Sequence, residues 1–131
     1  MSDSERLRIL YVDDEPVNLR LMRDVFALLL HRPDAVQTAA TPEEALRLVE
    51  SEVFDVVISD QRMPGMCGTD LLALVRERAP RSARMIVTGF PDDQAVCEAL
   101  RSGVAEAIVT KPWKAQELAA IIRSLVSRAG S

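Results

Sequence analysis

Aromatic residues are scarce in this chain: three Phe, one Tyr and one Trp, 4% of 131 residues. Hydrophobic residues still make up 48%, so the interior has to be aliphatic, built from Leu, Val, Ile and Ala. Lysine is nearly missing. Lys111 and Lys114 are the two lysines among 16 basic residues, and a Lys at a motif position is therefore informative. One histidine, His31, and two cysteines, Cys67 and Cys97, cannot assemble a structural zinc site. The cysteines read as reduced thiols of a cytoplasmic protein, with Cys97 in or near the core and Cys67 near the functional edge. No apolar run approaches the roughly 20 residues that span a bilayer, and Met1-Ser-Asp-Ser-Glu5 is unlike a secretory signal, so no membrane partner is expected. An excess of positive charge is missing too. The net charge is −4 and the pI about 5.0, which argues against direct nucleic-acid binding, because a phosphate backbone demands a basic face.

What is present is an alternation of apolar runs and amphipathic stretches, in a length that suits one domain spanning 1–131. The first strand is expected over Arg6–Val12, nearly all apolar as in a sheet covered on both faces. Asp13-Asp14-Glu15-Pro16 stops it and starts a helix to about Leu30. Its inward stripe is expected at Val17, Leu21, Val25 and Leu28, widened by Met22, Phe26 and Leu29. His31 and Pro33 follow as surface residues at the helix end. Ala35–Ala39 is a short second strand. Thr41 caps a second helix with Pro42 at its first position and Glu43 and Glu44 behind, with Ala45, Leu48 and Val49 inward. Val56-Val57-Ile58 forms the third strand, which ends at Asp60 and the breaker Met63-Pro64-Gly65. Gly68 and Thr69 lead into a third helix with Leu71, Leu72 and Val75 inward, closed by Pro80. Arg84–Thr88 is the fourth strand. Asp92-Asp93 opens a fourth helix carrying Ala95, Val96, Ala99 and Leu100 on one side, ended by Gly103. Ala105–Val109 is the fifth strand, and Ala115 to Arg128 the last helix, with Leu118, Ile121, Ile122 and Leu125 at helical spacing.

Five strand–helix pairs imply a parallel sheet with right-handed crossovers and helices on both faces. All strands then direct their C-terminal ends to one edge, where ligands bind in such sheets. Asp13 and Asp14 follow the first strand, Asp60 ends the third, Thr88 the fourth and Lys111 the fifth. Carboxylates that converge repel each other and need compensation. A hard divalent cation such as Mg²⁺ supplies it, holding carboxylates, waters and phosphate oxygens together, and Lys111 adds a compact positive charge. A carboxylate held among such groups can attack phosphorus and form an acyl phosphate, with cations neutralising the charge in flight. Asp60 is read as that nucleophile.

Asp-Asp-Glu-Pro after the first strand, Ser-Asp-Gln-Arg-Met-Pro-Gly-Met after the third, Val-Thr-Gly after the fourth and Thr-Lys-Pro-Trp after the fifth occur in order. Together they resemble the receiver domains of bacterial two-component response regulators, over about residues 8–128. The resemblance implies a flavodoxin-like, doubly wound five-stranded parallel sheet of order 2-1-3-4-5 with five helices. It implies that Asp60 is the phosphoacceptor, charged by a sensor histidine kinase or a histidine phosphotransfer protein. It assigns Mg²⁺, with Mn²⁺ as a substitute, to Asp14 directly, Asp13 through water, Asp60, and the backbone carbonyl of Arg62. Thr88 and Lys111 would stabilise the phosphoryl group, and Pro112 would follow a cis peptide bond. Phosphorylation would bias a two-state surface around the fourth helix, fifth strand and fifth helix. That surface would serve a downstream protein, a fused output domain or a dimer partner. The chain would be a self-phosphorylating acceptor, not an independent enzyme.

Three positions depart from the family's usual pattern. Ile108 stands where the family often has a switch aromatic, three residues before the lysine, so the customary ring relay is lost from the region of Thr88, Ile108 and Pro112. Cys67 replaces a common Asp, with a consequence for local turn chemistry. Arg62 and Phe90 occupy positions that tune dephosphorylation, and a bulky Phe90 would shield the site from water. Ile108 also keeps an alternative open: a pseudo-receiver that acts as a protein-interaction module independently of phosphorylation. The complete acid set argues against it. Trp113 reads as a packing residue at the start of the last helix.

Overall fold

A computed structural model of the chain describes residues 7–129. The sheet strands are β1 (Ile9–Val12), β2 (Val36–Ala39), β3 (Val56–Asp60), β4 (Ala83–Thr88) and β5 (Ala107–Thr110). The helices are α1 (Pro16–Leu30), α2 (Pro42–Ser51), α3 (Gly68–Arg78), α4 (Gln94–Ser102) and α5 (Ala115–Ala129). All neighbouring strands pair parallel, in the order β2-β1-β3-β4-β5. The expected doubly wound sheet is the observed one. Arg6, assigned to the first strand from sequence, and Met1–Glu5 lie outside the described residues. The fifth strand begins two residues later than expected, because Ala105 returns its N–H to the Ala99 carbonyl of α4 at 3.0 Å and is not yet in the ladder.

Strand alternation divides the apolar residues between two cores. Ile9, Tyr11, Val56, Ile58, Met85 and Val87 face α1 and α5, meeting Met22, Phe26, Leu118 and Ile122. Leu10, Val12, Val57 and Ile86 face the other way, meeting Ala45, Val49, Leu71, Leu72, Val75, Val96 and Ala99 from α2, α3 and α4. With helices on both faces, β1, β3 and β4 are buried at every position.

Two expected stripes are corrected. In α1 the buried residues are Met22, Phe26 and Leu30, while Val17 is 69% exposed, Leu28 77%, and Leu21 is exposed as well. The helix carries two apolar stripes, and periodicity cannot rank them; the sheet takes Met22, Phe26 and Leu30, and of the expected set Val25 and Leu29 also pack partly buried against this core. In α4 only Val96 and Ala99 are buried. Ala95, Leu100 and Cys97 are exposed, so Cys97 is a surface thiol, not a core residue. The helix is nine residues long and touches the sheet along a narrow line.

Local capping follows the sequence signals. Thr41 accepts from the Glu44 N–H at 3.1 Å, and Glu44 reaches back to the Ala40 N–H. Asp93 caps α4, and Gly103 ends it at φ 83°, a left-handed conformation natural to glycine. No helix among the described residues is long and apolar enough to cross a membrane.

Candidate functional site

The register places the chemistry. Asp60, the last residue of β3, stands opposite Val87, and Thr88 stands opposite Thr110, one residue before Lys111. Asp13 follows β1 directly. Carboxylate oxygens of Asp13, Asp14 and Asp60 lie within 4.8 Å of one another. Asp13 and Asp60 are buried, and Asp14 is the accessible one. The Lys111 ammonium donates to Asp60 Oδ1 at 2.7 Å. The sequence-expected groups therefore do meet at one edge, and the Lys111–Pro112 bond is cis.

Burial holds the Asp60 carboxyl above the ordinary carboxylate pKa; the Lys111 hydrogen bond opposes this and the nearby Asp13 charge adds to it. Asp13 is held differently. It accepts from the Tyr11 hydroxyl at 2.7 Å, the Glu15 N–H at 3.0 Å and the Asn18 side-chain amide at 3.1 Å. Three of its roughly four lone-pair positions are thereby occupied. Burial, then the hydrogen bond to Asp13, pushes the Tyr11 phenol far above its usual pKa, so it stays a donor.

Sequence reasoning did not find Tyr11 or Asn18. The signal for Tyr11 was available: a lone polar-tipped residue in an apolar strand, two positions before Asp13 and thus on the same face. A second missed residue is Gln61. Its side-chain oxygen accepts from the Thr69 N–H at 2.8 Å, its amide donates to the Thr69 hydroxyl at 3.3 Å, and its carbonyl accepts from the Gly68 N–H at 2.9 Å. These bonds tie the end of β3 to the start of α3 and close the loop between them. No signal at the level of periodicity pointed to this clamp. Gly68 is part of it, because a side chain there would press on the Asp60 carbonyl.

Within that loop, no described residue donates a hydrogen bond to the Arg62 carbonyl. The Arg62 guanidinium lies over the Phe90 ring, 4.2 Å from its centroid. The Thr88 hydroxyl is not bonded to Asp60; it accepts from the Phe90 N–H at 3.0 Å. Ile108 is half-buried against the α2–α3–α4 core. Trp113 is half-buried against the α1–α5 core, as a packing residue. Cys67 lies at the functional edge, with its sulfur 3.2 Å from the Thr69 hydroxyl.

Three hard carboxylate donors, two of them buried, suit a Mg²⁺-like cation in donor type and spacing. The family model described as response regulator receiver domain matches residues 9–123. The chain belongs to that family. It is 34% identical over 126 residues to the chemotaxis protein CheY of Pseudomonas aeruginosa, covering 93% of this chain and 98% of that protein. It is 30% identical over 130 residues to the hydrogenase transcriptional regulatory protein HoxA of Cupriavidus necator, covering 99% of this receiver but 26% of HoxA. The receiver thus spans about a quarter of the length of such relatives. Among solved structures it resembles the response regulator TrrA of Thermotoga maritima in complex with Mg²⁺-BeF, with a TM-score of 0.74 and 29% identity over 91% of this chain and 98% of that one.

Proposed function

We propose that this receiver is a phosphorylation switch whose acceptor is Asp60. The observation that carries the reading is the Asp60–Lys111 pair at 2.7 Å inside a group of three carboxylates. Asp60 is an oxygen nucleophile at the tip of a rigid strand, and its neighbours are arranged to hold added negative charge. In the transfer, an Asp60 oxygen forms a bond to phosphorus while the bond from phosphorus to the donor breaks. A histidine kinase or phosphotransfer protein would donate from phosphohistidine, the imidazole leaving with the bonding pair. Lys111 then pairs with the phosphoryl oxygens, and the Thr88 hydroxyl turns to donate to one of them. Asp14, accessible and without a hydrogen-bond donor among the described residues, would hold Mg²⁺ directly, with the Arg62 carbonyl, which no described residue bonds. Asp13, with three donors already on it, would act through water. When bound, Mg²⁺ supplies charge neutralisation for the phosphoryl oxygens.

The protein is an acceptor that changes its own surface, not an enzyme turning over a separate substrate. Its downstream target is a protein, whether a separate chain or an attached output domain. The test is mass spectrometry after incubation with Mg²⁺ and acetyl phosphate, or with a phosphorylated kinase. A phosphoryl adduct on the wild type and none on Asp60→Asn is expected. Absence of the adduct, or its survival in Asp60→Asn, would sink the reading and favour a phosphorylation-independent interaction module.

A further inference from the structure

Ile108 leaves no ring beside Thr88 to swing between two positions, since it is aliphatic and half-buried against the core. On the other side of Thr88 runs an unbroken line of hydrogen bonds. The Phe90 N–H donates to the Thr88 hydroxyl at 3.0 Å. The Phe90 carbonyl accepts from the Asp93 N–H at 3.1 Å. Asp93 Oδ1 accepts from the Ala95 and Val96 N–H groups at 2.9 and 3.4 Å and so caps α4. Both backbone polar groups of Phe90 are thus committed, one toward the site and one toward α4. Phe90 is 53% exposed, and its ring is held over the guanidinium of Arg62, two residues past Asp60.

We propose that Phe90 is the aromatic relay of this receiver, and that its stack on Arg62 is the latch that phosphorylation opens. The proposal rests on Asp60 being the phosphoacceptor. When the Thr88 hydroxyl turns to a phosphoryl group on Asp60, the Phe90 N–H loses its acceptor. A hydrogen bond to a charged phosphoryl oxygen outweighs the neutral one given up. The exposed cation–ring contact is too weak to hold the loop alone. The ring leaves Arg62, and the displaced Phe90 carbonyl passes the change to Asp93 and the first turn of α4. The state of Asp60 is then displayed as an unlatched aromatic at the α4 N-terminus.

The chain suits a direct test because it has three Phe, of which Phe26 and Phe54 are buried. Protein labelled with 4-fluorophenylalanine gives three fluorine resonances, and Phe90→Leu identifies the one from Phe90. Mg²⁺ and acetyl phosphate are added, and mass and fluorine spectra are recorded on the same sample. The Phe90 resonance is expected to move by more than its linewidth while that of Phe26 stays. In Arg62→Ala the Phe90 resonance is expected to be displaced toward the phosphorylated position before any phosphodonor is added. Phosphoryl mass gained with the Phe90 resonance in place overturns the relay, and so does an unmoved resonance in Arg62→Ala. Failure to gain phosphoryl mass overturns instead the assignment of Asp60 as acceptor.

Discussion

Gly68→Ala tests whether the clamp between β3 and α3 sets the position of Asp60. A Cβ at residue 68 would stand 3.0 Å from both Ile86 Cδ1 and Ser59 Oγ, where ordinary contact begins at 3.4 Å, and closer still to the Asp60 carbonyl oxygen. Ile86 can yield by rotating its terminal methyl. The Asp60 carbonyl cannot yield alone, since it is strand backbone and accepts from the Ser59 hydroxyl at 2.8 Å. The extra methyl therefore moves either the strand end or the first turn of α3. Overpacking of this kind costs about 1–3 kcal/mol. Ala in place of Gly at a helix start returns a fraction of about 1 kcal/mol. A net loss of about 1–2 kcal/mol lowers the melting temperature of a domain this size by roughly 4–8 °C. Because the shift falls on Asp60, a member of the three-carboxylate group, the rise in melting temperature on adding Mg²⁺ should shrink as well. Thermal denaturation followed by circular dichroism, with and without Mg²⁺, measures both. A variant with an unchanged melting temperature and an unchanged Mg²⁺ response refutes the clamp argument.

Lys111→Met leaves the buried Asp60 without its cation; because Lys111 is itself partly exposed, the cost is about 1–3 kcal/mol rather than that of a fully buried pair, read as a lower urea midpoint, and an unshifted midpoint removes the pairing argument. Asp60 predicts a pH dependence. Its folded pKa is raised, so between the unfolded and folded values the native state keeps a proton the unfolded state has lost, and stability falls as pH rises through that window. Asp60→Asn is expected to flatten this fall in metal-free urea titrations and to exceed the wild type in stability above the window; a parallel pH profile contradicts it. Arg84 is buried and donates to the carbonyls of Ser82, Val104 and Gly103 at 2.8, 2.9 and 3.2 Å, so Arg84→Met should lose about 2–4 kcal/mol; a loss below about 1 kcal/mol would show that water replaces these bonds.

The central strands β1, β3 and β4 were legible because a sheet covered on both faces demands apolar runs, and these runs stop at Asp13, Asp60 and Gly89. The site was legible for the same reason: Asp13, Asp60, Thr88 and Lys111 stand at those strand ends and at the end of β5. Helix faces were harder. The α1 sequence contains apolar residues on more than one face, so spacing placed Val17, Leu21, Val25 and Leu28 together, of which Val17, Leu21 and Leu28 are exposed, while Met22 and Phe26, expected to widen that stripe, are the buried ones. Side-chain clamps such as Gln61 to Thr69 were invisible because they join residues eight positions apart through a loop, a separation that carries no periodic signal. The Arg62–Phe90 stack joins two loops from different strands, and only the parallel order of β3 and β4 brings them together.

The arrangement of partners around the three acids shows where a cation gains most. Two unit charges 4.8 Å apart repel by about 3 kcal/mol at an effective dielectric constant of about 20. Two of the three acids have internal partners: Lys111 at 2.7 Å partly offsets the burial of Asp60, and Tyr11, Asn18 and the Glu15 N–H hold Asp13. Asp14 receives no such partner among the described residues, and it is the accessible member of the group. Uncompensated charge is thus left at the mouth of the site, on the side that solvent reaches. A divalent ion arriving from solvent would relieve repulsion at Asp14 first, with the Asp60–Lys111 pair left in place. Metal entry and the Asp60–Lys111 contact are separable in this site, so Asp14→Asn should abolish Mg²⁺-induced stabilisation while leaving the Asp60–Lys111 pair in place.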